Sequence, residues 1–222
     1  MMLPIYGIVF WVFAILFTYL RSKDETKTVL TTIIKMTPAF SAAVFILLSG
    51  NALFYILLAA ALIFCGLGDV GMEINILPGL GLFLVSHFLF VGNFLTYGAI
   101  GATTLSLTAF IVCLGALLLY LFFYFNYIKT AEDAMPGPFL YAAVFYGIMI
   151  TLTTCSSLLL WLSSGALLGF LPFIGVLLFV TSDSMIVIKE FHHKFKYDEE
   201  LTLLTYYAGI FLLSLGAVIF MF

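Results

Sequence analysis

Eight long apolar segments, separated by short polar or glycine-containing breaks, follow one another along the chain. Each has close to the ~20 apolar residues that a helix needs to cross the ~30 Å hydrocarbon core of a membrane. The pattern therefore predicts an all-α, polytopic membrane helix bundle. Its helices are expected near residues 3–20, 28–48, 52–71, 77–96, 103–125, 138–161, 166–188 and 201–221. No linker interrupts them, so residues 1–222 are interpreted as a single transmembrane domain.

The composition agrees with a membrane protein. Hydrophobic residues make up 64% of the chain and charged residues 9%, whereas a soluble domain has about a quarter charged residues. The net charge of -3 comes with no basic patch, so no nucleic-acid partner is expected. The first apolar segment has no basic residue before it and no small-residue cleavage site after it, which predicts a retained helix. The sequence leaves open whether the membrane is bacterial or that of the endoplasmic reticulum, and whether the chain forms a homodimer.

The basic residues predict how the helices are oriented. Lysine and arginine follow the first, fifth and seventh helices, whereas the even-numbered loops and both termini carry neither residue. Short basic loops stay on the cytoplasmic side of a membrane. We therefore expect both termini on the non-cytoplasmic side, which requires an even number of spans. The residues concerned are Arg21, Lys23, Lys27, Lys129, Lys189, Lys194 and Lys196.

Four ionisable residues lie within the apolar segments: Lys35, Asp69, His87 and Asp183. A charge in hydrocarbon costs at least ~2.5–3.5 kcal/mol, so such groups persist where they pair or line a polar cavity. A rise of ~1.5 Å per residue places all four in the cytoplasmic half of the bundle. One polar cavity open to the cytoplasm is therefore predicted. The alternative is structural: a static Lys35–Asp69 ion pair, with Asp183 capping its helix and Glu73 at the interface.

Three segments around these residues resemble the YhhN family of membrane lysoplasmalogenases, the alkenylglycerophospholipid hydrolases. The segments are Phe64–Asp69 (FCGLGD), Gly81–His87 (GLFLVSH) and Phe179–Ser184 (FVTSDS). Lys35 and the Tyr206-Tyr207 pair also match family positions. Two features depart from the family pattern: Met36 rather than proline follows Lys35, and no glutamine follows the tyrosine pair. The resemblance implies hydrolysis of the vinyl ether bond of a lysoplasmalogen, which yields a fatty aldehyde and glycerophosphocholine or glycerophosphoethanolamine.

The chemistry of that reaction suggests roles for the buried residues. Acid cleaves a vinyl ether by protonating an alkenyl carbon, and water then attacks the oxocarbenium ion. Two carboxyl groups in one low-dielectric pocket, one protonated and one ionised, can supply both functions, as in glycosidases. We hypothesise that Asp69 and Asp183 are this catalytic pair, with the identity of the acid left open.

The remaining candidate residues are assigned to the substrate. Lys35 is expected to bind the phosphate of the lysophospholipid as a point charge. The alkenyl chain is expected to lie between helices and to be reached from the lipid bilayer. No cofactor and no metal are predicted. The residues expected to orient water or substrate are His87, Ser182, Tyr206 and Tyr207.

Three other classes of protein remain as alternatives. A small-solute or proton-coupled transporter would use the same buried charges, and Pro38 and Pro172 interrupt two spans, but no internal repeat is visible. A zinc-dependent lipid hydrolase of the alkaline ceramidase type needs several buried histidines, whereas His87 alone is buried in the pattern. A non-catalytic scaffold would need only the Lys35–Asp69 pair. A serine nucleophile is disfavoured because no Gly-x-Ser-x-Gly segment is present.

Overall fold

A computed structural model of the chain describes residues 2–23, 27–131 and 137–220, and these residues form helices and no strands. Eight spans are long and apolar enough to cross a membrane, which confirms the predicted multi-pass helix bundle. The eighth span is made of α8 and a one-turn continuation, α9. The helices are α1 (Met2–Ser22), α2 (Val29–Ser49), α3 (Leu53–Ile74), α4 (Ile76–Ile100), α5 (Thr104–Ile128), α6 (Gly137–Ser164), α7 (Phe170–Phe191), α8 (Asp198–Ser214) and α9 (Gly216–Ile219).

Hydrogen bonds from capping side chains fix several helix starts at the breaks that the sequence predicts. The Thr28 hydroxyl accepts the Thr31 N–H, and the Thr31 hydroxyl accepts the Thr28 N–H, so the first free donors of α2 are satisfied. Asn75 caps α4 by accepting the Leu77 N–H. Pro172, which the sequence analysis treated as interrupting a span, lies in the first turn of α7. A first-turn residue needs no N–H donor, so this proline is compatible with a continuous helix.

The helices pack as a ring with one helix outside it. In this ring each helix contacts the next one in the order α1, α2, α3, α4, α6, α7 and α8, and α8 contacts α1. The helix α5 packs along α6, outside this ring. Large apolar side chains from several ring helices, among them Phe10, Phe54, Phe90 and Phe179, are fully buried in the interior. The sequence-distant neighbours α4 and α6 therefore face each other directly.

Glycine brings the backbones of α7 and α8 into contact. A Cβ on Gly175 would lie 2.7 Å from the Gly209 carbonyl oxygen, and a Cβ on Gly209 would lie 2.8 Å from the Gly175 carbonyl oxygen. Small residues permit this close approach between membrane helices. Two turns farther along, the Ser182 hydroxyl donates to the Thr202 carbonyl oxygen at 3.0 Å. This contact fixes α8 beside the part of α7 that carries Asp183.

The charged side chains concentrate at one end of the ring. There α1, α3, α5 and α7 end, and α2, α4, α6 and α8 begin. We call this the charged end, defined by Arg21, Lys27, Glu73, Lys189 and Glu199. It is the end that the basic loops predict to be cytoplasmic.

Candidate functional site

A three-residue ion cluster lies at the charged end of the ring. The Lys35 ammonium and the Arg21 guanidinium both donate to Glu73 Oε1, at 2.7 and 2.6 Å. The Glu73 side chain is only 6% exposed. The structural alternative suggested by the sequence was a static Lys35–Asp69 ion pair, with Glu73 at the interface. The structure pairs Lys35 with Glu73 instead, because the long lysine side chain extends toward the charged end.

The ion cluster is expected to contribute strongly to stability. Replacing Glu73 with glutamine leaves two cations without their carboxylate in a partly desolvated position, which costs about 1–3 kcal/mol. We expect the Glu73→Gln protein to unfold several degrees below the wild type when purified in detergent. The matched control is Glu199→Gln, because Glu199 pairs with Lys189 at 2.8 Å but is 43% exposed. An exposed pair contributes about 0–1 kcal/mol. Equal unfolding midpoints for the two variants would contradict the structural role of the cluster.

Both candidate aspartates line one small cavity, which we call the site cavity. It lies inside the ring and has a volume of about 40 Å³, enough for a few water molecules. The structure thus brings Asp69 of α3 and Asp183 of α7 to the same space. The other lining residues come from α2, α3, α4, α7 and α8, and they are Lys35, Met72, Phe83, Ser182, Ile186, Thr202, Leu203 and Tyr206.

Tyr206 fixes the position of Asp69. Its hydroxyl donates to Asp69 Oδ2 at 2.9 Å, and both residues are buried. The Tyr206 ring packs edge-on against Phe83 and Phe179, with ring centroids 5.8 and 5.3 Å away. Aromatic contacts of this geometry favour one ring orientation. The Asp69 carboxylate is therefore held at the cavity by a tyrosine that cannot rotate freely.

A chain of hydrogen bonds runs from Asp183 into the ring. The Tyr146 hydroxyl donates to Asp183 Oδ2 at 2.5 Å, and the Tyr146 oxygen lies 3.1 Å from His87 Nε2. On the other side of the imidazole, His87 Nδ1 lies 3.1 Å from Thr153 Oγ1. The Thr153 hydroxyl donates to the Met149 carbonyl oxygen at 3.0 Å. This chain of hydrogen bonds is possible because α4, which carries His87, packs directly against α6, which carries Tyr146 and Thr153.

Tyr146 is the central member of this chain, because its single hydroxyl contacts both the Asp183 carboxyl group and the His87 imidazole. The two nitrogens of the imidazole each have one partner, Thr153 at Nδ1 and Tyr146 at Nε2. The chain therefore holds the Asp183 carboxyl group and the His87 ring in a fixed relative position.

The structure separates the predicted site residues into two groups. Lys35, Asp69, Ser182, Asp183 and Tyr206 line the site cavity.

His87 and Tyr207 do not line this cavity, although both were expected to contact substrate. His87 contacts Asp183 only through Tyr146. The Tyr207 hydroxyl donates to the Lys35 carbonyl oxygen at 3.1 Å, which positions α8 against α2. Sequence reasoning missed Tyr146, because a tyrosine in an apolar segment carries no distinguishing signal.

A larger polar cavity connects the site cavity with the charged end. It has a volume of about 160 Å³ and shares Lys35, Met72, Ile186, Thr202 and Leu203 with the site cavity. We call it the vestibule. Side chains of both signs line it, so it can contact both a cationic and an anionic group. Its other residues are Arg21, Lys27, Glu73, Lys189, Glu190 and Glu199.

Comparison with known proteins identifies the family. No curated protein and no solved structure matches the chain. The model of the YhhN family matches residues 30–217, a range that contains every residue lining the site cavity. The match covers far more than half of the chain, and it agrees with the resemblance carried by the three short segments. The chain therefore belongs to the YhhN family.

Proposed function

We propose that this protein is a lysoplasmalogenase, which hydrolyses the vinyl ether bond of a lysoplasmalogen within the membrane. The observation that carries the proposal is that two carboxyl groups share one small cavity, which adjoins a vestibule of mixed charge. Vinyl ether hydrolysis needs an acid, a water molecule and a group that accepts a proton from that water. A low-dielectric cavity strengthens the interaction of both carboxyl groups with the cationic intermediate.

Each proton in the proposed reaction has a source and a destination. Asp183, as the carboxylic acid, protonates the alkenyl carbon that is not bonded to oxygen, which leaves an oxocarbenium ion. Asp69, as the carboxylate, takes a proton from water while the water oxygen bonds to the oxocarbenium carbon. In the resulting hemiacetal, the bond to the glycerol oxygen breaks, and that oxygen takes the proton from Asp69. The hemiacetal hydroxyl returns a proton to Asp183, and the aldehyde is released.

The surroundings of the two carboxyl groups support this division of roles. Both accept a hydrogen bond from a tyrosine hydroxyl, Asp69 from Tyr206 and Asp183 from Tyr146. They differ in the charges near them, because the Lys35 ammonium attracts the Asp69 carboxylate. Paired carboxyl groups in different environments divide acid and base roles in this way in other hydrolases.

The vestibule suits a zwitterionic headgroup. Lys35 and Arg21 share Glu73 as a partner, and each retains further N–H donors for a phosphate. Glu190 and Glu199 line the same space and can contact the ammonium of choline or ethanolamine. We therefore propose that the headgroup binds at the charged end, with the glycerol directed toward the site cavity.

The test is direct hydrolysis by the purified protein in detergent. With a lysoplasmalogen as substrate, we expect one fatty aldehyde and one glycerophosphodiester per substrate consumed. In D₂O the aldehyde should carry one deuterium at the carbon beside the carbonyl, because that carbon receives the acid's proton. A preparation that is folded but releases no aldehyde would refute the proposal. Proton or solute flux in liposomes without lipid cleavage would instead favour the transporter alternative.

A further inference from the structure

A second cavity reaches Asp183 from the opposite side, between α5, α6 and α7. It has a volume of about 40 Å³ and is lined mainly by apolar and aromatic side chains. Among the described residues, Asp183 alone lines both this cavity and the site cavity. We call the second cavity the lateral cavity, and its polar lining residues are Tyr120, Tyr124, Tyr146, Thr151, Asp183 and Ser184.

The outer wall of the lateral cavity is the most loosely packed helix of the bundle. Of the residues in α5, only Ser106, Phe125 and Ile128 are buried. Near the cavity, two hydrogen bonds connect α5 to α7. The Tyr120 hydroxyl lies 2.8 Å from Ser184 Oγ, and the Tyr124 hydroxyl donates to the Ser184 carbonyl oxygen at 2.8 Å. Toward the charged end, Phe125 and Ile128 of α5 belong to an apolar cluster with Val187 and Ile188 of α7. Displacing the part of α5 around Tyr120 would open the lateral cavity to the bilayer.

The two cavities match the two halves of a lysolipid. The polar site cavity leads to the vestibule, and the apolar lateral cavity lies beside the hydrocarbon of the membrane. Asp183 is eight residues before the end of α7 at Phe191, which places it ~12 Å from the charged end. A lysolipid with its headgroup in the vestibule would bring its ether bond to about this depth.

We infer that the lateral cavity is the binding subsite for the alkenyl chain of the substrate, entered from the bilayer between α5 and α7. This inference rests on the proposed function, because the alkenyl chain is the one attached to the vinyl ether bond that must reach Asp183. The hydrogen bonds from Tyr120 and Tyr124 to Ser184 close the entrance when the chain is absent. Binding of the chain displaces α5 and enlarges the cavity.

The competing position for the chain is an apolar groove between α1 and α2. This groove is larger, at about 320 Å³, and it contains neither Asp69 nor Asp183. Its lining residues include Met2 at the start of α1 and Leu48 near the end of α2, so it lies away from the charged end. A chain bound there could not present its vinyl ether to either carboxyl group.

A bulky substitution in the lateral cavity or in the α1–α2 groove distinguishes the two positions considered for the alkenyl chain. Val180 lines the lateral cavity one turn deeper than Asp183, and Val44 lines the α1–α2 groove. We expect Val180→Phe to lower kcat/KM for a long-chain lysoplasmalogen about 10-fold or more relative to a short-chain one. The matched control, Val44→Phe, should leave the ratio of long-chain to short-chain kcat/KM unchanged. A ratio that changes in Val44→Phe, or in neither variant, would overturn the inference.

Photolabelling tests the subsite without requiring turnover. The probe is a saturated ether lysophospholipid with a diazirine in the middle of its chain, which the proposed acid chemistry cannot cleave. We expect labelled peptides from α5, α6 and α7, with less labelling of Val180→Phe protein. Labelling confined to α1 and α2 would refute the subsite even in an active enzyme. Labelling of α5, α6 and α7 in a protein that releases no aldehyde would support the subsite while refuting the hydrolase.

Discussion

Asp183→Asn is expected to lower kcat for lysoplasmalogen hydrolysis by roughly 10²–10⁴-fold, the usual contribution of a general acid. Asparagine has the size of aspartate and can still accept the Tyr146 hydrogen bond, but it has no acidic proton to give to the alkenyl carbon. KM should change little, because the side chain is placed at the reacting atoms rather than at the headgroup. Asp69→Asn should cause a loss of similar size, since the water then lacks its proton acceptor.

A matched variant separates loss of chemistry from loss of fold. Tyr6→Phe also removes a buried polar contact, since the Tyr6 hydroxyl lies 2.6 Å from Ser214 Oγ, but Tyr6 does not line the site cavity. We expect Tyr6→Phe to retain wild-type kcat. All three variants should be compared by unfolding midpoint and by size-exclusion chromatography in detergent. Near-normal turnover by well-folded Asp69→Asn and Asp183→Asn proteins would rule out the carboxyl pair as the catalytic groups.

Tyr146→Phe is expected to lower kcat by about 10–100-fold with little change in KM. Without the phenol oxygen, Asp183 loses its bond to Tyr146, and His87 Nε2 loses its partner. A buried nitrogen left without a hydrogen bond costs about 1–3 kcal/mol, and the Asp183 carboxyl group is no longer held by Tyr146. Tyr146 is a positioning residue in this scheme, because it acts through Asp183.

A double-mutant cycle with His87→Leu provides the diagnostic measurement. If the two residues act through one chain, His87→Leu should lower kcat in the wild-type background and have little further effect in Tyr146→Phe protein. The cycle should be repeated with Tyr6→Phe in place of Tyr146→Phe, where the two effects should add. Additive losses in the Tyr146–His87 cycle would show that the residues act independently rather than through one chain of hydrogen bonds.

Local sequence pattern was sufficient to predict the helix bundle. A membrane span is set by the length of an apolar segment, and every backbone polar group in it must be satisfied within the helix. The eight predicted spans therefore agree with the observed helices. Among the helix ends, the end of α4, at Ile100 rather than residue 96, and the start of α7, at Phe170 rather than residue 166, each differ by four residues. Hydrophobicity alone does not distinguish the end of a helix from an apolar turn next to it.

The same reasoning found both aspartates but misjudged their neighbours. A carboxyl group inside an apolar segment is costly, so Asp69 and Asp183 stood out, and both line the site cavity. Spacing along a helix gives the depth of a residue, but it does not give the helix that a side chain faces. The structural alternative therefore paired Lys35 with Asp69, whereas the structure pairs Lys35 with Glu73 one turn farther along α3.

The sequence by itself determined the class of protein, the number of spans and the depth of the buried charges, because each follows from local hydrophobicity. Only the tertiary structure decided that α4 packs against α6, which places His87 behind Tyr146 rather than in the site cavity. It also decided that α5 lies outside the ring, which creates the lateral cavity beside Asp183. These features depend on contacts between distant segments, and nearly uniform apolar helices carry little local information about which faces pack together.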